Sequence, residues 1–126
     1  MKIKVAAYFR VATRDQLAIE NQKAQIQKHI SEHPNWCAGP TYVDIAPASQ
    51  LQEGSDLARL LDDAARGRFQ RVAVVSVSRL ARDIPRLSQM LRQFKEQDIA
   101  VDFLKEHIST DEPNIFALIT HGPLQH

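Results

Sequence analysis

The sequence predicts an α/β domain with a mainly parallel central sheet of four or five strands and helices on both faces. Short apolar, β-branched runs alternate with stretches of helical periodicity, the rhythm of a parallel sheet, whose crossovers need helices. The chain has 126 residues, enough for one domain spanning 1–126 with its own core. Apolar residues make up 44% and charged residues 25%, which is a globular balance and not that of a disordered, collagenous or membrane chain.

Ile3 to Phe9 reads as a largely buried strand, and the stretch from about Arg14 to His33 as a helix with Ile19, Ala24, Ile26 and Ile30 on its apolar face. Pro34 ends that helix. Thr41 to Ile45 is a second short strand, followed by a turn-rich segment from Ala46 to Gly54 expected to be a mobile loop. Ser55 is placed to cap a helix carrying Leu57, Leu60, Leu61 and Ala64, with Gly67 where a terminating glycine belongs. Val72 to Val77 is the most strand-like run. Asp83 to Gln97 reads as a helix with Leu87, Met90, Leu91 and Phe94 inward, Pro85 being tolerated in its first turn. Ile99 to Leu104 is a fourth strand. Asn114 to Thr120 is apolar enough to begin another helix, which Gly122 and Pro123 interrupt.

Several functional classes are set aside. The apolar runs are too short to cross a bilayer and the N-terminus lacks a signal-peptide core, so a cytoplasmic, membrane-free protein is expected. Cys37 stands alone and cannot form an internal disulfide or a cysteine-based metal site. His29, His33, His107, His121 and His126 show no ligand spacing in a plausible fold. His29 and His33 read as a polar helix face, so no metal and no cofactor is expected. Trp36, beside Pro34, reads as a cap over the sheet edge in preference to a base-stacking platform.

Net charge is +1, too little for the whole domain to bind nucleic acid strongly. Its distribution is more informative. The stretch 66–92 holds Arg66, Arg68, Arg71, Arg79, Arg82, Arg86 and Arg92 against Asp83. An all-arginine run suits phosphate, because the guanidinium fork matches phosphate oxygens, although a solvated helix face is the plainer alternative. In open α/β sheets ligands gather beyond the carboxyl ends of the strands, where loops converge and helix N-termini point at the crevice. Three loops should meet there: 10–13 after the first strand, Asp44 with the loop after the second, and 78–83 after the third. Arg10, Arg79 and Arg82 are therefore expected to form one anion site.

At these residues the chain resembles a known family. Tyr8 to Gln16, followed by Glu20-Asn21-Gln22, is similar to the opening of the serine recombinase (resolvase/invertase) catalytic domain, whose hallmark is Arg-Val-Ser-Thr followed by Gln. Ser78 to Asp83 resembles the second hallmark, Asp-Arg-Leu-(Ser/Gly/Ala)-Arg-(Asp/Asn). Leu57 to Arg68 resembles the helix before it, and Ile108 to Asp111 the segment after the last strand. The resemblance implies a resolvase-like fold and a metal-free phosphoryl transfer, in which a serine attacks a DNA phosphodiester and arginines stabilise the transferring charge. Arg10, Arg79 and Arg82 fall on the family's catalytic, DNA-phosphate-binding arginines. It also implies action in DNA recombination or integration by a mobile element, with a homo-oligomer or another recombinase as partner.

Three departures stand out. Ala12 occupies the nucleophile's position, and a methyl group cannot attack phosphorus. Thr13 supplies a neighbouring hydroxyl, but successive residues leaving a strand point in different directions. Where the family's mobile loop brings a further arginine this chain has Gln52, Glu53 and Gly54, and Ser78 replaces the family's aspartate. Natural degeneration accounts for all three losses, an engineered alanine for one. The sequence stops at His126, before the family's long dimerisation helix and DNA-binding domain, which are read as absent: either the chain was cut there or the natural protein is a fragment. Two functions follow: a recombinase catalytic domain inactive as written, or a noncatalytic interaction or regulatory module derived from one. A flavodoxin- or receiver-like phosphate domain is a third reading. It lacks both a glycine-rich loop and an acidic cluster after the first strand.

Overall fold

The structure, a computed structural model, describes residues 2–11, 15–45, 55–80 and 84–111. Its elements are β1 (Ile3–Val11), α1 (Gln16–Ser31), β2 (Trp36–Ile45), α2 (Asp56–Ala65), β3 (Arg71–Val74), α3 (Val77–Leu80), α4 (Ile84–Glu96), β4 (Ala100–Phe103) and β5 (Ile108–Ser109). The sheet runs β2-β1-β3-β4-β5. Its first four strands are parallel, and β5 turns back antiparallel to β4.

Alternation along β1 divides the core in two. Ala6 and Tyr8 join Leu57, Leu60 and Ala64 of α2, Val77 and Leu80 of α3, and Leu87, Met90, Leu91 and Phe94 of α4 on one face. Val5, Ala7 and Phe9 meet Ile26 and Ile30 of α1 on the other. The expected α/β sheet with helices on both faces is therefore present, and every inward residue expected of α4 is buried. On α1 the periodic reading was partly misplaced: Ala24 is exposed, while Gln22 takes a buried position beside Ile26 and Ile30. Ser55 caps α2, and Gly67 follows it at φ +72°, the left-handed conformation glycine adopts without strain.

Several boundaries moved. β1 runs on through Arg10 and Val11, so Arg10 is a strand residue and not part of the loop expected after it. The run expected as one strand from Val72 to Val77 divides, with β3 ending at Val74 and Val77 opening α3. β2 starts at Trp36, five positions before the expected Thr41, and includes Pro40. Proline can sit there because β2 is an edge strand with one unpaired side. The extra residue makes a bulge, visible as a register shift from Val5 opposite Ala38 to Ala7 opposite Thr41.

Gly39 lies in this bulge, where an added Cβ would come within 2.9 Å of both the Val5 carbonyl oxygen and Lys4 Cγ. The lysine stem can move but the Val5 backbone is held in the sheet. Gly39→Ala is expected to destabilise the domain by about 1–3 kcal/mol, checked by urea unfolding. An unchanged midpoint would mean that β2 slides freely on β1.

Candidate functional site

Arg10 and Asp44 are register partners on β1 and β2 near the carboxyl ends of the strands, on the face that α2 and α3 cover. Tyr8 precedes Arg10 by two residues and shares that face. Asp44, almost wholly buried, is held by three donors: the Tyr8 hydroxyl to Oδ2 at 2.7 Å, Leu57 N–H to Oδ2 at 3.0 Å and Asp56 N–H to Oδ1 at 2.9 Å. Asp56 returns the contact by accepting from Val43 N–H at 2.8 Å, which locks the end of β2 to the start of α2. Burial, then the hydrogen bond to Asp44, pushes the Tyr8 phenol well above its ordinary pKa, so it remains a neutral donor.

The Arg10 guanidinium is also buried, at 6% exposure, and its Nη2 donates to the Ser78 carbonyl in α3. Arg79, half-buried, is the next residue of that short helix. Arg10 and Arg79 thus come from adjacent elements at one sheet edge, and α3 packs directly on β1. Arg82, Ala12, Thr13 and the segment Gln52 to Gly54 lie outside the described residues.

The N-termini of α1, α2 and α3 do not serve as open anion sites. Asp15 Oδ1 accepts from Leu17 and Ala18 N–H at 3.0 and 3.3 Å on α1, and Asp44 covers α2. Glu106 accepts from Val77 N–H on α3 with both oxygens, at 3.3 and 3.4 Å. Carboxylates already satisfy the partial positive charge at these three ends, so an external anion beside them would have to be drawn by arginine side chains.

The arginine-rich run does not form one patch. Arg66 pairs with Asp62 and Arg68 with Asp63, both at 3.3 Å. Arg71 begins β3 at the opposite edge and projects to the α1 face, where Nη2 donates to Asp102 Oδ1 at 2.6 Å, Nε to Asp102 Oδ2 at 2.9 Å and Nη1 to Asp111 Oδ2 at 3.1 Å. Burial alone would raise the Asp102 pKa, but hydrogen bonds from Arg71 and His29 outweigh it and hold the carboxyl below its usual range. His29 is therefore more than a solvated helix face: its Nε2 lies 2.9 Å from Asp102 Oδ2 and ties α1 to β4. Trp36 stacks on His33 at 3.6 Å between centroids and lies under the Arg71 guanidinium at 4.6 Å. These contacts occupy its ring as part of the packing at the amino edge of the sheet.

Tyr8 and Glu106 were not among the candidate site residues, and Asp44 was expected at this edge without a role of its own. Two signals were present: a tyrosine inside a buried strand needs a partner for its hydroxyl, and Asp44 is a lone charge in the apolar strand Thr41 to Ile45. Glu106 carried no local signal.

The sheet order, with a lone antiparallel edge strand and arginines at the carboxyl edge, defines a resolvase-like α/β domain. The family model described as the resolvase N-terminal domain matches residues 5–121, and the chain belongs to that family. Its structure is similar to the N-terminal catalytic domain of TP901-1 integrase, at 26% identity and TM-score 0.78 over 87% of this chain and 84% of that one. It shares its fold with a resolvase family site-specific recombinase from Streptococcus pneumoniae, at 20% identity and TM-score 0.78, covering 94% of this chain and 83% of that one. The C-terminal catalytic domain of ISC1926 TnpA, an IS607-like serine recombinase, has the same fold at 17% identity and TM-score 0.72, over 81% and 70% of the two chains. A search of curated protein sequences found no significant match. Among the described residues no helix is long and apolar enough to cross a membrane.

Proposed function

We propose that this chain is a single recombinase catalytic domain, 1–126, that has kept a DNA-phosphate site at Arg10, Arg79 and Arg82 and lost strand cleavage through Ala12. The observation that carries the reading is the buried Arg10 guanidinium bonded to the α3 carbonyl of Ser78, with Arg79 adjacent. A buried guanidinium fixed at a strand's carboxyl end is a preorganised donor for an anion. The reaction expected of the family is transfer of a DNA phosphodiester to a serine, and position 12 offers no oxygen. The domain works in the cytoplasm on DNA, without cofactor or metal, beside a second copy or an active recombinase. Ser78 in place of aspartate and the lack of arginine between Arg14 and Arg59 favour a regulatory role in that pairing over an independent one.

The test is fluorescence anisotropy with labelled duplex DNA across a salt series. Binding should be weak and salt-sensitive, because few phosphates are neutralised at once. Arg79→Ala should weaken it by about 1 kcal/mol, uniformly across sequences, and reduce the salt slope by roughly one. Tight, salt-insensitive binding, or an Arg79→Ala chain that binds like the wild type, would contradict the assignment.

A further inference from the structure

We propose that Glu106 is a positioning residue for the anion edge: from the turn between β4 and β5 its carboxylate caps α3 and fixes the segment that offers the Ser78 carbonyl to Arg10 and carries Arg79. The proposal rests on the anion-site reading above. α3 has four residues, too few to hold a helical turn by its own hydrogen bonds. Its geometry must therefore come from outside contacts. Val77 and Leu80 anchor it inward, Arg10 holds one carbonyl, and Glu106 takes the first amide with both oxygens at 3.3 and 3.4 Å.

The residue that would ordinarily cap from within is Ser76. Its hydroxyl lies 3.1 Å from the Ser78 hydroxyl, and a capping serine would in any case reach the second or third amide, so the first amide, that of Val77, is served by Glu106. The turn bearing Glu106 is itself tied to the end of β3, since Leu104 N–H donates to the Val74 carbonyl at 3.0 Å and Lys105 N–H to the Val75 carbonyl at 2.7 Å. His107 closes that turn at φ 56°. Glu106 is thus fixed relative to the strand from which α3 departs, and a carboxylate at a helix N-terminus is electrostatically favoured. With serine at position 78, the carboxylate that organises this arginine-bearing segment comes from residue 106, 29 positions from the amide it caps.

The experiment uses the full 15N-labelled chain and two NMR readouts: the Val77 amide and Arg79 Nε–H signals, and a titration with inorganic phosphate. Glu106→Ala should move both signals and weaken phosphate binding about fivefold, a typical cost of losing a cap. Glu106→Gln, which keeps one acceptor oxygen, should restore most of the affinity, and Lys105→Ala should match the wild type. If Glu106→Ala does not fold, Glu106→Gln carries the test through its own displaced Val77 and Arg79 signals. Signals that stay at wild-type positions in both Glu106 variants overturn the proposal, as does a Glu106→Gln chain no better than alanine. A wild-type chain that binds no phosphate removes the anion site. The Val77 and Arg79 signals then decide the Glu106 contact alone: movement upholds it and constancy ends it.

Discussion

Asp102→Ala is expected to destabilise the domain by about 3–5 kcal/mol and lower its Tm by roughly 10–20 °C, because it removes the buried carboxylate that pairs with the Arg71 guanidinium. Arg71 is 12% exposed and Asp102 5%, and both oxygens of Asp102 are engaged, two of the contacts running to Arg71 Nε and Nη2, so its loss leaves the guanidinium only Asp111 and Ser109 as acceptors among the described residues. Asp111→Ala is the contrast. Its carboxylate contacts the same arginine at 3.1 Å but is 57% exposed, and the loss should stay within about 1 kcal/mol. The difference between the two variants is also pH-dependent. The folded-state pKa of Asp102 is depressed, so its contribution is fully present above the unfolded value of about 3.9 and is lost as pH falls through the folded value. Thermal melts at pH 7 and pH 3 check both statements. Equal melting of Asp102→Ala and wild type at pH 7 would falsify the buried-network account.

The second expected result is chemical: incubated with labelled DNA, this chain yields no covalent protein–DNA species on a denaturing gel. Ala12 has no atom that can attack phosphorus. Ala12→Ser restores the oxygen, yet it too should give at most a trace, since Ser78 still replaces a carboxylate and residues 52–54 still supply no arginine. Groups that act as a unit are strongly non-additive, so one repair recovers little of a rate that several groups build together. A slow-migrating adduct from the wild-type chain would redirect attention to Thr13 or another hydroxyl. Efficient cleavage by Ala12→Ser would make Ala12 the one lesion that matters.

The amino-acid sequence by itself determined the alternation of strands and long helices, the inward faces of α2 and α4, and the placement of Arg10 and Arg79 near one edge. Each of those depends on residue chemistry or on periodicity over a few positions, which a sequence displays directly. It did not show where β2 begins, because Pro40 reads as a break until the strand is known to lie at the sheet's edge. Nor could it separate Arg71 from the arginines around it. That side chain turns to the α1 face because of its strand parity, and its partner Asp102 lies 31 residues away. The same holds for the caps on the helix N-termini. Asp15 is local and legible, whereas Asp44 and Glu106 reach their amides only after strand register and the β4–β5 turn bring them there. Tertiary structure thus decided which charges are already satisfied, since that depends on neighbours distant in sequence and on the burial that makes an unpaired charge costly.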